Sequence, residues 1–154
     1  MRTSTICLIT FGLTFLCGCA SHQPKPSQWP QGGSQTVVDL APKKLLEVAQ
    51  QAISAPPLSV PVEKVENGTI YTGWKEYPGE LHIVRRWYER TRFRITVSPD
   101  FSDPNRSSIA IEDQTEERAT ESQPWYPAPN TRRPERGQDV LNAILARAAG
   151  AAKG

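Results

Sequence analysis

After position 19 the chain has no cysteine; Cys7, Cys17 and Cys19 are the three it contains. The folded part therefore holds no disulfide. Histidine is nearly as scarce, with only His22 and His82, so no Cys/His set at metal-ligand spacing exists and a structural zinc site is excluded. Charge of one sign is missing too. The 18 basic and 16 acidic side chains leave a formal +2, which gives no case for a nucleic-acid binder by net charge. Long apolar runs are absent as well. The longest, Ile6 to Leu16, has eleven residues and as a helix reaches only about 16 Å, about half the hydrocarbon thickness of a bilayer. A length of 154 residues excludes two large domains and leaves room for one ordinary one. The 14 prolines and 10 glycines reserve a sizeable part of that length for linker and loop.

What the N-terminus does contain is patterned. Arg2 supplies a positive start, the apolar run follows, and small residues close it, which is the three-part plan of a secretory signal over residues 1–18. The boundary Leu16-Cys17-Gly18-Cys19 resembles the lipobox of bacterial lipoproteins, in which a leucine and two small residues precede an obligatory cysteine. That resemblance implies cleavage between Gly18 and Cys19. It also implies lipidation of Cys19, whose thiol is the nucleophile that takes a diacylglyceryl group as a thioether. Several acyl chains, each methylene worth about 0.8 kcal/mol, then anchor the protein to the membrane without any protein surface. Ala20 stands where an aspartate would, by the same resemblance, favour inner-membrane retention. The expected address is the outer membrane, with the domain facing the periplasm.

Residues 19–36 read as the lipidated cysteine and a disordered tether, rich in proline, glycine and serine and without apolar periodicity. Its mean reach is about 20 to 24 Å. Trp29 stands alone in it, as either a contact for a partner or an incidental residue. Residues 37–149 read as one domain and 150–154 as a flexible tail. Asp39 can cap a helix in which Leu45, Val48, Ala49, Ala52 and Ile53 recur at helical spacing before Pro56-Pro57 stops it. Asn67-Gly68 is a strong hairpin signal. It places Glu66 opposite Thr69 and Val65 opposite Ile70, with that apolar pair expected on the core face. The same residues with Thr69 fit a glycosylation sequon, but the turn explains them.

From Leu81 to Val97 an alternating strand sets Trp87, Phe93, Ile95 and Val97 on one face and Arg86, Tyr88, Arg90, Arg92, Arg94 and Thr96 on the other. Five arginines in ten residues are offset within that stretch by Glu89 alone. Ser107 to Thr120 is acidic. If Val97 faces Ile109, then Ile95 faces Ile111, Arg94 faces Glu112 and Arg90 faces Glu116, so one register satisfies core and charge together. A last helix over residues 136–149 carries Val140, Leu141, Ile144, Leu145 and Ala148. The expected fold is α+β, an antiparallel sheet of three to four strands with an N-terminal and a C-terminal helix packed on one face.

Catalytic chemistry is hard to assemble from these residues. A His-based nucleophile would rest on His82 alone. The carboxylates Glu112, Asp113, Glu116 and Glu117 follow one another along a strand beside arginines, which suits ion pairing better than a glycosidase cleft. No phosphate-cradling glycine loop appears. We therefore expect no enzyme, no cofactor, no metal and no nucleic-acid partner. The arginine strand could still meet an anionic partner. The loop QPWYPAPNTRRPER, residues 123–136, offers Trp125, Tyr126, Arg132 and Arg133 as candidate partner-binding residues. Trp125 and Tyr126 suit an extended strip docked in a partner's groove, or an aromatic plug folded back over the sheet. The plug reading, which we favour, expects Trp125 mostly buried and Arg132 and Arg133 exposed.

The lipobox, the proline-rich tether and the order helix, Asn-Gly hairpin, Thr72-Gly73-Trp74, arginine-rich strand together resemble the small domains of the NlpB/BamC type. These belong to lipoproteins of the outer-membrane β-barrel assembly machine. The resemblance covers roughly residues 43–149 as one domain where that lipoprotein has two. It implies a lipoprotein that binds an envelope protein, as accessory or scaffold in cell-envelope assembly. A carrier or sensor of a lipid or other anionic ligand, held between sheet and helices, is the alternative.

Overall fold

The structure is a computed structural model that describes residue 29 and residues 33–82, 85–128 and 135–152, with side chains for all of these except 78–82 and 85–86. Its elements run β1 (Ser34–Val38), α1 (Pro42–Ser54), β2 (Val62–Glu66), β3 (Thr69–Thr72), β4 (Lys75–His82), β5 (Arg85–Asp100), β6 (Asp103–Arg118), β7 (Tyr126–Pro127) and α2 (Glu135–Ala151). All strands join one antiparallel sheet in the order β1-β6-β5-β3-β2, with β4 also paired to β5 and β7 to β6. The long β5–β6 hairpin is thus the spine. One end of β5 is flanked by β3 and the other by β4.

Alternation sets the register of the spine. Val97 pairs with Ile109, Ile95 with Ile111, Arg94 with Glu112 and Arg90 with Glu116, because any one-residue slip would turn Ile95 and Phe93 out of the core. The Asn67-Gly68 turn has both residues at positive φ, 50° and 75°, and it brings Glu66 opposite Thr69 and Val65 opposite Ile70. Ile70 is buried, but Val65 is 41% exposed. β2 is the outermost strand, so the pairing holds while the cover it would need stops one strand short.

Both helices contribute to one buried cluster with the same sheet face. Leu45, Val48, Ala49, Ala52 and Ile53 of α1 and Val140, Leu141, Ile144 and Ala148 of α2 meet Ile70, Phe93, Ile95, Val97, Ile109 and Ile111. Each fully buried large apolar side chain there is worth about 1.5 to 3 kcal/mol against exposure. The helix entry differs from the expectation. Ala41 is the N-cap, without a side-chain bond, and a proline occupies the first turn. Asp39 instead accepts a hydrogen bond from Arg106 Nε at 2.9 Å.

The expected sheet of three to four strands is corrected by the structure to seven, which makes the molecule mostly sheet with two helices. The additional strands are those with the weakest local signals. β1 spans only Ser34–Val38 and straddles the boundary drawn at residue 37. β4 runs through Pro78-Gly79, a dipeptide that normally marks a turn, by a register shift between Tyr77 and Glu80. β7 has two residues between prolines in the loop, paired to Glu116 and Glu117.

Candidate functional site

The sheet face away from the helices carries the chemistry. Arg90, Arg92 and Arg94 stand on alternate positions of β5, and two residues of extended chain advance about 6.6 Å. That spacing is about twice the thickness of a stacked ring, since carbon planes touch at about 3.5 Å. A tryptophan therefore fits between successive guanidinium planes. Trp74 does so, with its ring 4.4 Å from the Arg90 guanidinium and 4.7 Å from that of Arg92. Trp125 lies 4.5 Å from Arg90 and 4.3 Å from Arg118. Trp29 lies 5.1 Å from Arg92 and 5.3 Å from Arg94, and Tyr88 closes the other end at 5.5 Å from Arg118. The result is a ladder of alternating aromatic rings and guanidinium groups across four segments distant in sequence.

Strand β6 holds the arginines flat. Arg90 Nε and Nη2 donate to Glu116 Oε2 at 2.9 and 2.6 Å. Arg92 Nε and Nη2 donate to Gln114 Oε1 at 2.9 and 2.7 Å, and Arg94 Nε donates to Glu112. The hydrogen bond from Arg94 to Glu112 holds that guanidinium further toward its charged form. Each guanidinium thus spends its edge on the neighbouring strand and keeps its faces for rings, a division that a lysine could not make. Arg118 Nη1 donates to the Glu121 carbonyl at 2.9 Å, and its Nε is buried without a hydrogen-bond partner among the described residues.

Local structure delivers the rings. Trp74 follows Thr72-Gly73 where β3 hands β5 over to β4, and a Cβ on the buried Gly73 would crowd Glu63 and Pro61 at 3.0 and 3.1 Å. Trp125 precedes β7, which is fixed on β6 by its own pairing and by the Ala128 amide donating to the Thr115 carbonyl at 2.9 Å. Trp29 comes from the segment before β1, and a Cβ on Gly33 in that approach would collide with the Ile111 carbonyl.

Trp125 is therefore half-buried, folded over the outer face of the sheet and not into its core, while Tyr126 is 56% exposed. Cys19, Gly18, Arg132 and Arg133 lie outside the described residues. His82 falls in β4. Sequence reasoning named the arginines and Trp125 but missed Trp74 and Trp29 as their partners. The signal was present: arginines at a two-residue period in a chain with four tryptophans. Glu89 was also misassigned as an offset for the arginine cluster, because strand parity turns it to the helix face. There it is buried and takes the guanidinium of Arg136 of α2, which also donates to Thr91 Oγ1 at 2.6 Å and stacks on Tyr77 at 3.9 Å.

Two other features were weighed against this face. A cavity of about 410 Å³ opens between the turn after α1, β4 and α2, lined by Leu58, Lys75, Tyr77, Arg136 and Val140 among others. Its cations are engaged internally, Lys75 Nζ by the Leu58 carbonyl and Arg136 by Glu89, so an anion would have to displace both. Burial pushes the Tyr77 hydroxyl above its usual pKa. Phe101, fully exposed at the β5–β6 tip, is a single residue flanked by Asp100 and Asp103. The Asp100 carboxyl, which accepts hydrogen bonds from the Ser102 hydroxyl and amide, is held below its usual pKa. Among the described residues no group of three or more His, Cys, Asp or Glu side chains could hold a metal ion, and no helix is long and apolar enough to cross a membrane.

No family model matches the chain, and no curated protein matches it. Among solved structures it is similar to a TBP-like protein from Parabacteroides distasonis, with a TM-score of 0.45 and 9% identity over 75% of this chain and 91% of that one.

Proposed function

We propose that the protein is an exported lipoprotein, anchored at the outer membrane through Cys19, whose domain acts by binding an envelope protein through the outer face of its sheet. The observation that carries the binding half is the ladder of Trp29, Trp74 and Trp125 with Arg90, Arg92, Arg94 and Arg118. Tryptophan, tyrosine and arginine are the side chains that dominate interface energetics, and here they are half-exposed and already ordered, so docking costs little side-chain entropy. The helix face is sealed by its own core and by the buried Arg136–Glu89 pair. The anchoring half rests on the Leu16 to Cys19 boundary.

A photo-crosslinking residue at Tyr126, and as comparison at exposed Asn142 of α2, in the full-length protein in intact cells tests the binding face. Envelope-protein adducts at position 126 and not at 142 support it. Adducts at neither position, or equally at both, refute it. Cys19→Ser should remove the acyl mass and release the protein from membranes, and an unchanged mass and membrane fraction would refute the anchor.

A further inference from the structure

The two flexible-sequence segments that reach the arginine face share one chemistry. Gln28-Trp29-Pro30 and Pro124-Trp125-Tyr126-Pro127 each offer a tryptophan beside proline, and each tryptophan lies over two guanidinium groups. Proline-flanked chain is already extended, so laying it along a strand costs less ordering than laying down a flexible loop. The segments arrive from opposite ends of the domain, before β1 and after β6. The face thus accepts this kind of segment at two independent places.

Those two places are not equally firm. Trp125 sits 4.3 and 4.5 Å from its arginines and is followed directly by the paired strand β7. Trp29 sits at 5.1 and 5.3 Å, the widest spacing of the three tryptophans. It is the outermost rung and belongs to the membrane-proximal tether.

Resting on the reading of this face as the partner surface, we infer that it recognises a tryptophan-bearing, proline-flanked extended segment of a partner protein, and that Trp29 is a replaceable resident occupant of that place. The tether competes with the partner because a short linker gives it an effective concentration in the millimolar range. An occupant present about nine-tenths of the time weakens the apparent affinity for an incoming segment about tenfold.

The test uses the full mature chain and a fluorescent peptide of residues 24–33, PKPSQWPQGG, followed by anisotropy. The Trp29→Ala chain should bind this peptide about tenfold more tightly than the wild-type chain does, and a peptide with alanine for tryptophan should bind neither. Adding Arg92→Lys to Trp29→Ala, which keeps the charge and loses the plane, should abolish binding while circular dichroism confirms the fold. Binding to neither chain, equal binding to both, or equal binding of the alanine peptide overturns the inference. If the peptide fails while Tyr126 still crosslinks an envelope protein, the surface reading stands and the tryptophan-segment specificity falls. If both fail, both fall.

Discussion

Between Tyr71, which pairs with Arg94, and Lys75, which pairs with Thr91, three residues of one strand segment oppose Arg92 and Phe93. At this handover the Phe93 amide donates to the side-chain oxygen of Thr72 at 2.7 Å. Both residues are almost fully buried, at 1% and 2% exposure, so no water can replace the hydroxyl. Thr72→Val keeps the shape and removes the acceptor. A buried donor left without its partner costs about 1 to 3 kcal/mol, and for a domain of this size each kcal/mol moves Tm by about 4 °C, so Tm should fall by about 4 to 12 °C. Thr72→Ser, which keeps the oxygen, should lose distinctly less. Urea unfolding should show a lower midpoint with an unchanged slope, the sign of a native-state loss. Hydrogen exchange should show the Phe93 amide losing protection. A Thr72→Val protein as stable as wild type, with Phe93 equally protected, refutes the assignment of this side chain as the ladder's substitute acceptor.

Other substitutions test separate parts of the fold. Gly68 has φ 75°, and a Cβ there would approach the Val97 carbonyl to 2.7 Å, so Gly68→Ala should cost about 1 to 3 kcal/mol in chemical denaturation; a neutral effect would contradict the turn. Burial pushes the Asp113 carboxyl up, with Arg136 acting against it. The folded chain therefore keeps a proton that the unfolded chain has released, and stability is lost as pH rises through the usual carboxylate value toward the raised one. Asp113→Asn should accordingly be more stable than wild type at pH 7, with the gain shrinking as pH falls below about 4; a gain that does not change with pH would refute this.

How much of this was legible in the sequence depended on the range of the determining forces. The spine register followed from alternation alone, because Ile95, Val97, Ile109 and Ile111 admit one pairing that also matches Arg94 with Glu112. Both helices followed from their apolar stripes, and observed bounds of Pro42–Ser54 and Glu135–Ala151 lie close to those read from spacing. The short strands did not. β1, β4 and β7 are held by what a neighbouring long strand offers, and a two-residue strand between prolines has no period of its own to read. The site was half legible for the same reason. Arginines at a two-residue period can be seen in one segment, but Trp29, Trp74 and Trp125 are brought to them by three chain connections, and nothing local announces which ring meets which cation.

The hydrogen bonding of the arginines also decides what kind of partner the face suits. An anion-binding surface needs guanidinium edges with open donors, because recognition of a phosphate or carboxylate is bidentate and runs through N–H groups. Here the edges of Arg90, Arg92 and Arg94 are turned to Glu116, Gln114 and Glu112 across the strand boundary, and the two carboxylates cancel charge at the same positions. What stays distinctive is the flat face of each cation, set at a spacing that matches an aromatic ring and dried by the rings already in place. Stacking of this kind strengthens as water is excluded, whereas an ion pair to an incoming anion would have to break an existing one first. The same acidic strand that removes the argument for nucleic acid or lipid headgroups therefore builds the argument for an aromatic-bearing protein segment.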